Sequence, residues 1–102
     1  MTIQSTLVTG SATTIFTSSG NTATTAIFFM NNNGSARTLD LHIVLNGQSA
    51  AVTNKILKAI SINGGDTYVV NTEKLVLSNG DTIQAVASAV DSIYATISSV
   101  SI

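Results

Sequence analysis

Hydrophobic and polar residues alternate with period two along much of this chain. The cleanest run is Arg37 to Asn46, where Leu39, Leu41, Ile43 and Leu45 share one parity and Thr38, Asp40, His42 and Val44 share the other. Successive side chains of a strand point to opposite faces, so the pattern predicts an antiparallel strand with its leucine side inward. Three strands are predicted before it. Ile3, Leu7 and Val8 mark one that ends near Thr9-Gly10; Thr13 to Thr17 forms the second; Thr22 to Met30 forms the third. The end of the third strand is apolar on both parities, with Ala26, Phe28 and Met30 on one side and Ile27 and Phe29 on the other. A strand of that kind has both faces covered. We assign the Phe28 side to the core, and Ile27 and Phe29 to contact with a neighbouring chain.

The second half repeats the theme. Asn46 to Thr53 reads as the longest loop. A helix over Ala50 to Ala59 is compatible with its good helix formers. A strand from Asn54 to Ile62 is preferred, because Ile56, Ile60 and Ile62 share a parity; Lys58 interrupts it in a way that suits a sheet edge. Gly-Asp-Thr then occurs twice, fifteen residues apart, with an apolar run after each. Tyr68 to Val70 and Leu75 to Leu77 read as short strands, joined by a charged corner at Thr72-Glu73-Lys74. From Thr82 a further strand turns Ile83, Ala85 and Ala87 one way and Thr82, Gln84 and Ser88 the other. Ser92 to Ile102 is the last, with Ile93, Ala95 and Ile97 opposite Tyr94, Thr96 and Ser98. Asn-Gly turns at Asn33, Asn46, Asn63 and Asn79 recur at intervals of 13 to 17 residues. About nine short strands with such turns predict one all-β domain over residues 1–102, an antiparallel β-sandwich of jelly-roll or immunoglobulin-like topology.

Composition sharpens this picture in one respect. Only 9% of the 102 residues are charged, the formal net charge is −1, and no charged side chain precedes Arg37. Average soluble domains carry roughly 25% charged residues. Mean hydropathy is +0.40, yet no apolar run approaches the ~20 residues of a membrane helix. No basic field for nucleic acid, no polybasic patch for anionic lipid and no signal-peptide pattern is present. With no cysteine, disulfides and thiolate metal sites are excluded. So apolar and uncharged a surface predicts cover by other subunits.

Candidate chemistry is sparse. His42, the only histidine, shares a strand face with Asp40, but no nucleophile elbow or oxyanion-hole glycine run accompanies the pair. It reads as an outward polar position. Asp66 and Asp81 follow glycine in turns and, with nearby asparagines, offer oxygen ligands; without an Asp-x-Asp-x-Asp loop they read as turn residues, and no metal or other cofactor is expected. Five acidic residues make a paired-carboxylate glycosidase improbable. No catalytic residue is assigned. The five aromatics sit inside apolar runs rather than forming a stacking platform.

The segment Gly65-Asp66-Thr67-Tyr68-Val69-Val70, Thr72-Glu73-Lys74-Leu75-Val76-Leu77 and Asn79-Gly80-Asp81-Thr82-Ile83-Gln84 resembles a family of short virion structural proteins of tailed bacteriophages. Thr17 to Ala23 before the Ile27-Phe28-Phe29 strand, and the ending near Ala95 to Ser98, are similar too. Asn71 departs from the acidic residue of that pattern. The resemblance implies a non-enzymatic, multicopy component of the particle, made in the host cytoplasm: a capsid decoration or cement protein contacting the major capsid protein, or else a neck, tail or fibre subunit. The two-sided apolar strand Ala26 to Met30, inside a charge-free N-terminal third, predicts a homo-oligomer, and the resemblance favours a trimer through the local threefold axes of a shell. From a different class, the rival expectation is a carbohydrate-binding module for host attachment.

Overall fold

The computed structural model describes residues 2–70, 75–89 and 92–102. Nine strands follow in order: β1 (Thr2–Val8), β2 (Thr13–Thr17), β3 (Thr22–Asn31), β4 (Arg37–Val44), β5 (Lys55–Ile62), β6 (Thr67–Val70), β7 (Val76–Leu77), β8 (Thr82–Ala87) and β9 (Ile93–Ser101), with one 3-10 turn at Val52–Asn54. They form two antiparallel sheets. One runs β1-β9-β3-β6, with β7 also paired to β3; the other runs β2-β8-β4-β5. β6 and β7 lie one after the other along β3, at Ile27 to Met30 and at Thr22 to Ala23, so they act as one interrupted edge strand. The pairs β1–β9, β2–β8, β3–β6/β7 and β4–β5 are nested like the rungs of a single long hairpin. Rolling that hairpin into two layers gives the jelly roll, which decides between the two sandwich topologies.

The core lies between the sheets. Ile27 and Phe29 from β3, Ile93, Ala95 and Ile97 from β9, and Val8 from β1 face Leu39 and Leu41 from β4, Ile83, Ala85 and Ala87 from β8, and Ile15 and Phe16 from β2. The alternation in β8 and β9 runs as the sequence predicts. A register shift in β2 between Thr14 and Phe16 lets two consecutive apolar residues, Ile15 and Phe16, both turn inward.

The faces of three strands differ from expectation. In β3, Ile27 and Phe29 are fully buried in the core of the single chain, whereas Phe28 is 40% exposed and Met30 36%. The assignment of Ile27 and Phe29 to an outer contact face is therefore inverted. In β5 the strand exists and lies at a sheet edge, but two register shifts break the isoleucine parity. Leu57, not Ile56, stands opposite Leu41, and Ile56 is exposed. Ala59 carries the strain of the bulge at φ 51°. In β4, Leu39 and Leu41 are buried as predicted, but Val44 and His42 are buried too and Leu45, beyond the strand end, is exposed.

The Asn-Gly turns meet in pairs at opposite ends of β4. A Cβ on Gly64 would stand 2.5 Å from the backbone of Gly34, so glycine there is a condition of close approach. At the other end, Gly80 has φ 87° and lies directly against Asn46. Each end also has a buried polar clamp. Asn31, with no exposed surface, donates from Nδ2 to the carbonyls of Ser35 and Ile62, both at 2.9 Å, and accepts the Asn33 N–H at 2.9 Å. Asp81 accepts the N–H groups of Asn46 and Ser78, one on each carboxylate oxygen, at 3.0 Å. The charged corner at 72–74 and Asn71 lie outside the described residues.

Candidate interaction surface

His42 and Asp40 were the first places to look for chemistry, and their hydrogen bonds go elsewhere. The His42 Nδ1–H donates to the Ala51 carbonyl at 3.0 Å and to Asn54 Oδ1 at 2.9 Å. Asn54 is held in that orientation, because its Oδ1 also accepts the Ala51 N–H and its Nδ2 donates to the Ser49 carbonyl. The histidine thus pins the long loop over the outer face of its sheet and is buried by it. Asp40 accepts the Ala59 N–H at 2.7 Å and pairs with Lys55 at 3.2 Å. The bulge leaves the Ala59 N–H without a ladder partner, and the carboxylate takes it. That bond is the largest cause holding the Asp40 carboxyl below the usual carboxylate range; burial opposes it, and the Lys55 hydrogen bond and charge add to the lowering.

Asp81 uses both carboxylate oxygens on the backbone, as a turn residue does. Among the described residues, no three His, Asp or Glu side chains gather into a metal-holding group. A cavity of about 250 Å³ opens where β1, β2 and the ends of β3 and β9 meet, lined by the hydroxyls of Thr17, Ser19, Thr22, Ser99 and Ser101. Its aromatic residue, Phe16, is turned into the core. No ring is offered there for a sugar to stack upon.

What stands out is the outer face of the β1-β9-β3-β6 sheet. Residues directly opposite in neighbouring strands share a face, so the registers set out its rows. Leu7, Tyr94, Met30 and Thr67 form one. Ser5, Thr96, Phe28 and Val69 form the next. Ile3, Ser98 and Ala26 follow, then Val100, Ala23 and Val76. Most of these positions are apolar, the rest are serine or threonine, and none is charged. Phe28, Met30, Val69 and Tyr94 lie side by side near the middle, each between 36% and 40% exposed. Ile3 and Val76 are more open still, at 68% each.

The other sheet is different in kind. Arg37, Asp40, Lys55 and Lys58 all sit on β4 and β5, while Asp66 and Asp81 occupy turns. Among the described residues, every strand-borne charge therefore belongs to the β2-β8-β4-β5 sheet. Exposed apolar residues scattered singly need no explanation; a contiguous, uncharged sheet face marks a contact surface. Sequence reasoning missed it because β3 is apolar on both parities, and the rows become visible only once β1, β9 and β6 are laid beside it. Comparison with family models, with characterised proteins and with solved structures finds no match.

Proposed function

We propose that this chain is a multicopy structural subunit of a bacteriophage particle, acting by contact rather than by chemistry. The observation that carries the proposal is the uncharged apolar face of the β1-β9-β3-β6 sheet, a surface suited to permanent cover by protein. Two further points support it. The polar groups that might have served catalysis, His42, Asp40 and Asp81, are taken up in holding loops and turns. The jelly roll is a recurrent fold of viral shells, an argument by analogy of fold alone. The station in the particle that suits a small, charge-poor sandwich is decoration or cement on the capsid, bound to the major capsid protein; a neck, tail or fibre position uses the same physics. The hydroxyl-lined cavity, lacking an accessible aromatic, gives the carbohydrate-binding alternative no added weight.

The test is co-purification. Phage particles from a host culture that produces this chain are banded on a density gradient and their proteins quantified by mass spectrometry. The chain should travel with the particle band, in a fixed ratio to the major capsid protein if it decorates the shell, or at a few copies per particle if it belongs to the neck or tail. Particles free of the chain, with all of it left at the top of the gradient, would reject the proposal.

A further inference from the structure

We propose that the uncharged sheet face is covered by the same face of a second copy of this chain, the two sheets packing front to front about a twofold axis. The proposal rests on reading the face as a contact surface, as above, but not on the identity of the particle. Three observations single out a second copy as the occupant.

The first is charge. A twofold contact sets the patch against itself, so a patch with a net charge repels its own copy, whereas an uncharged one does not. This face carries none among the described residues, and the strand-borne charges lie on the opposite sheet. The second is shape. Two sheets pack well when their twists match, at about 10 Å separation and about 30° between strand directions. A second copy supplies a sheet of identical twist. The third is area. β1, β9 and β3 have seven, nine and ten residues, and β6 and β7 on the edge have four and two. At ~3.3 Å per residue and ~4.8 Å per strand the face projects about 500 Å². Two such faces together reach the ~1,000 Å² that a biological interface has to clear.

Phe28 and Thr96 stand opposite each other in the middle of the face, flanked by Met30, Tyr94 and Val69. These residues form the dry centre of the contact, and Ser5, Thr67 and Ser98 lie among and around them. A trimer, the state favoured from the resemblance, requires two unlike patches on each chain that fit one another. One continuous face favours a pair.

The experiment is light scattering after size exclusion on the purified full chain over a concentration series. The wild type should scatter at twice the 10.5 kDa chain mass, and Phe28→Glu should weaken association by about 100-fold or more, since it buries an unpaired charge at the centre of the contact. Ile56→Glu, exposed on β5 of the other sheet, should associate as the wild type does. Because the chain has no cysteine, Thr96→Cys adds an independent reading: a bis-maleimide of about 10 Å span, the separation of packed sheets, should give a covalent dimer, while Gln48→Cys, exposed on the long loop, should not. This second pair decides the matter if Phe28→Glu fails to fold. A wild type that stays monomeric up to about 100 μM, weaker than a specific homodimer of this area should be, overturns the proposal. So does a threefold mass, a folded Phe28→Glu that pairs as tightly as the wild type, or equal cross-linking of the two cysteine variants. A monomeric chain found in the particle band sinks the pairing and leaves the structural role; a dimer absent from particles does the reverse.

Discussion

Replacing Asn31 with leucine tests the clamp that joins three segments at one end of the sandwich. Leucine has the same number of side-chain heavy atoms and the same branch point as asparagine, is somewhat bulkier, and neither donates nor accepts. The variant loses the Nδ2 bonds to Ser35 O and Ile62 O and the bond from Asn33 N, each 2.9 Å long. Ser35 is exposed and Asn33 half-buried, so water can replace part of what those two groups lose, at a net cost of about 0.5 kcal/mol each. Ile62 is 2% exposed, and stripping a donor from its carbonyl costs about 1–3 kcal/mol. The sum is roughly 2–4 kcal/mol, a large share of the ~5–15 kcal/mol that holds a small domain together. At about 4–8 °C per kcal/mol for a chain near this size, Tm should fall by roughly 8–32 °C. The assay is thermal and urea denaturation followed by circular dichroism, with Asn33→Ala as comparison. Asn33 Oδ1 accepts one bond, from the exposed Ser35 N–H, so its loss should cost under about 1 kcal/mol. An Asn31→Leu variant within about 0.5 kcal/mol of the wild type would refute the reasoning, because it would mean that the three bonds are not what holds this end closed.

Two other expectations follow from the faces and the charges. Phe29→Ala should destabilise by about 3–5 kcal/mol and Phe28→Ala by no more than about 1.5 kcal/mol, measured by urea denaturation in solutions dilute enough to keep chains apart; equal or reversed costs would restore the opposite orientation of β3. Asp40 has a lowered folded-state pKa, so its stabilisation is present above its unfolded value, about pH 4, and is lost as pH falls through the folded value. Asp40→Asn should therefore be less stable than the wild type at pH 7, and the gap should narrow as pH is lowered below about 4, in urea denaturation across a pH series; a gap of constant size throughout would show that the carboxylate charge is not the cause.

Much of the fold was legible because alternation and turn chemistry are local. β2, β8 and β9 fall where Thr13 to Thr17, Thr82 to Ala87 and Ile93 onward predict them, and the Asn-Gly turns lie between strands as expected. Alternation fails where a local rule meets a non-local event. The bulge at Ala59 shifts the facing of β5, and nothing in Ile56-Leu57-Lys58-Ala59-Ile60 announces it, since the Asp40 carboxylate that satisfies the Ala59 N–H comes from the neighbouring strand. His42 looks solvent-facing in sequence and is buried, because a loop that begins three residues later folds back over it. The orientation of β3 was degenerate for a simpler reason: Ile27 and Phe29 on one side and Phe28 and Met30 on the other give no contrast from which to choose.

The candidate surface was hidden for a reason of topology. β1, β3, β6 and β9 are scattered from one end of the chain to the other, and no single stretch of sequence contains the face that they build. The strand-borne charges, by contrast, are concentrated in the hairpin from Arg37 to Lys58. Winding the nested hairpin into two layers places β4 and β5 together in one sheet and, among the described residues, leaves the strands of the other without charge. The low charge of the whole chain thus becomes, on folding, a segregation: one sheet can remain in water, while the other turns an apolar face outward. An average of 9% charged residues could equally have been spread thinly over both sheets, and an evenly sparse surface would need no partner. It is the sorting by the fold, not the scarcity in the sequence, that gathers Phe28, Met30, Val69 and Tyr94 into one apolar face.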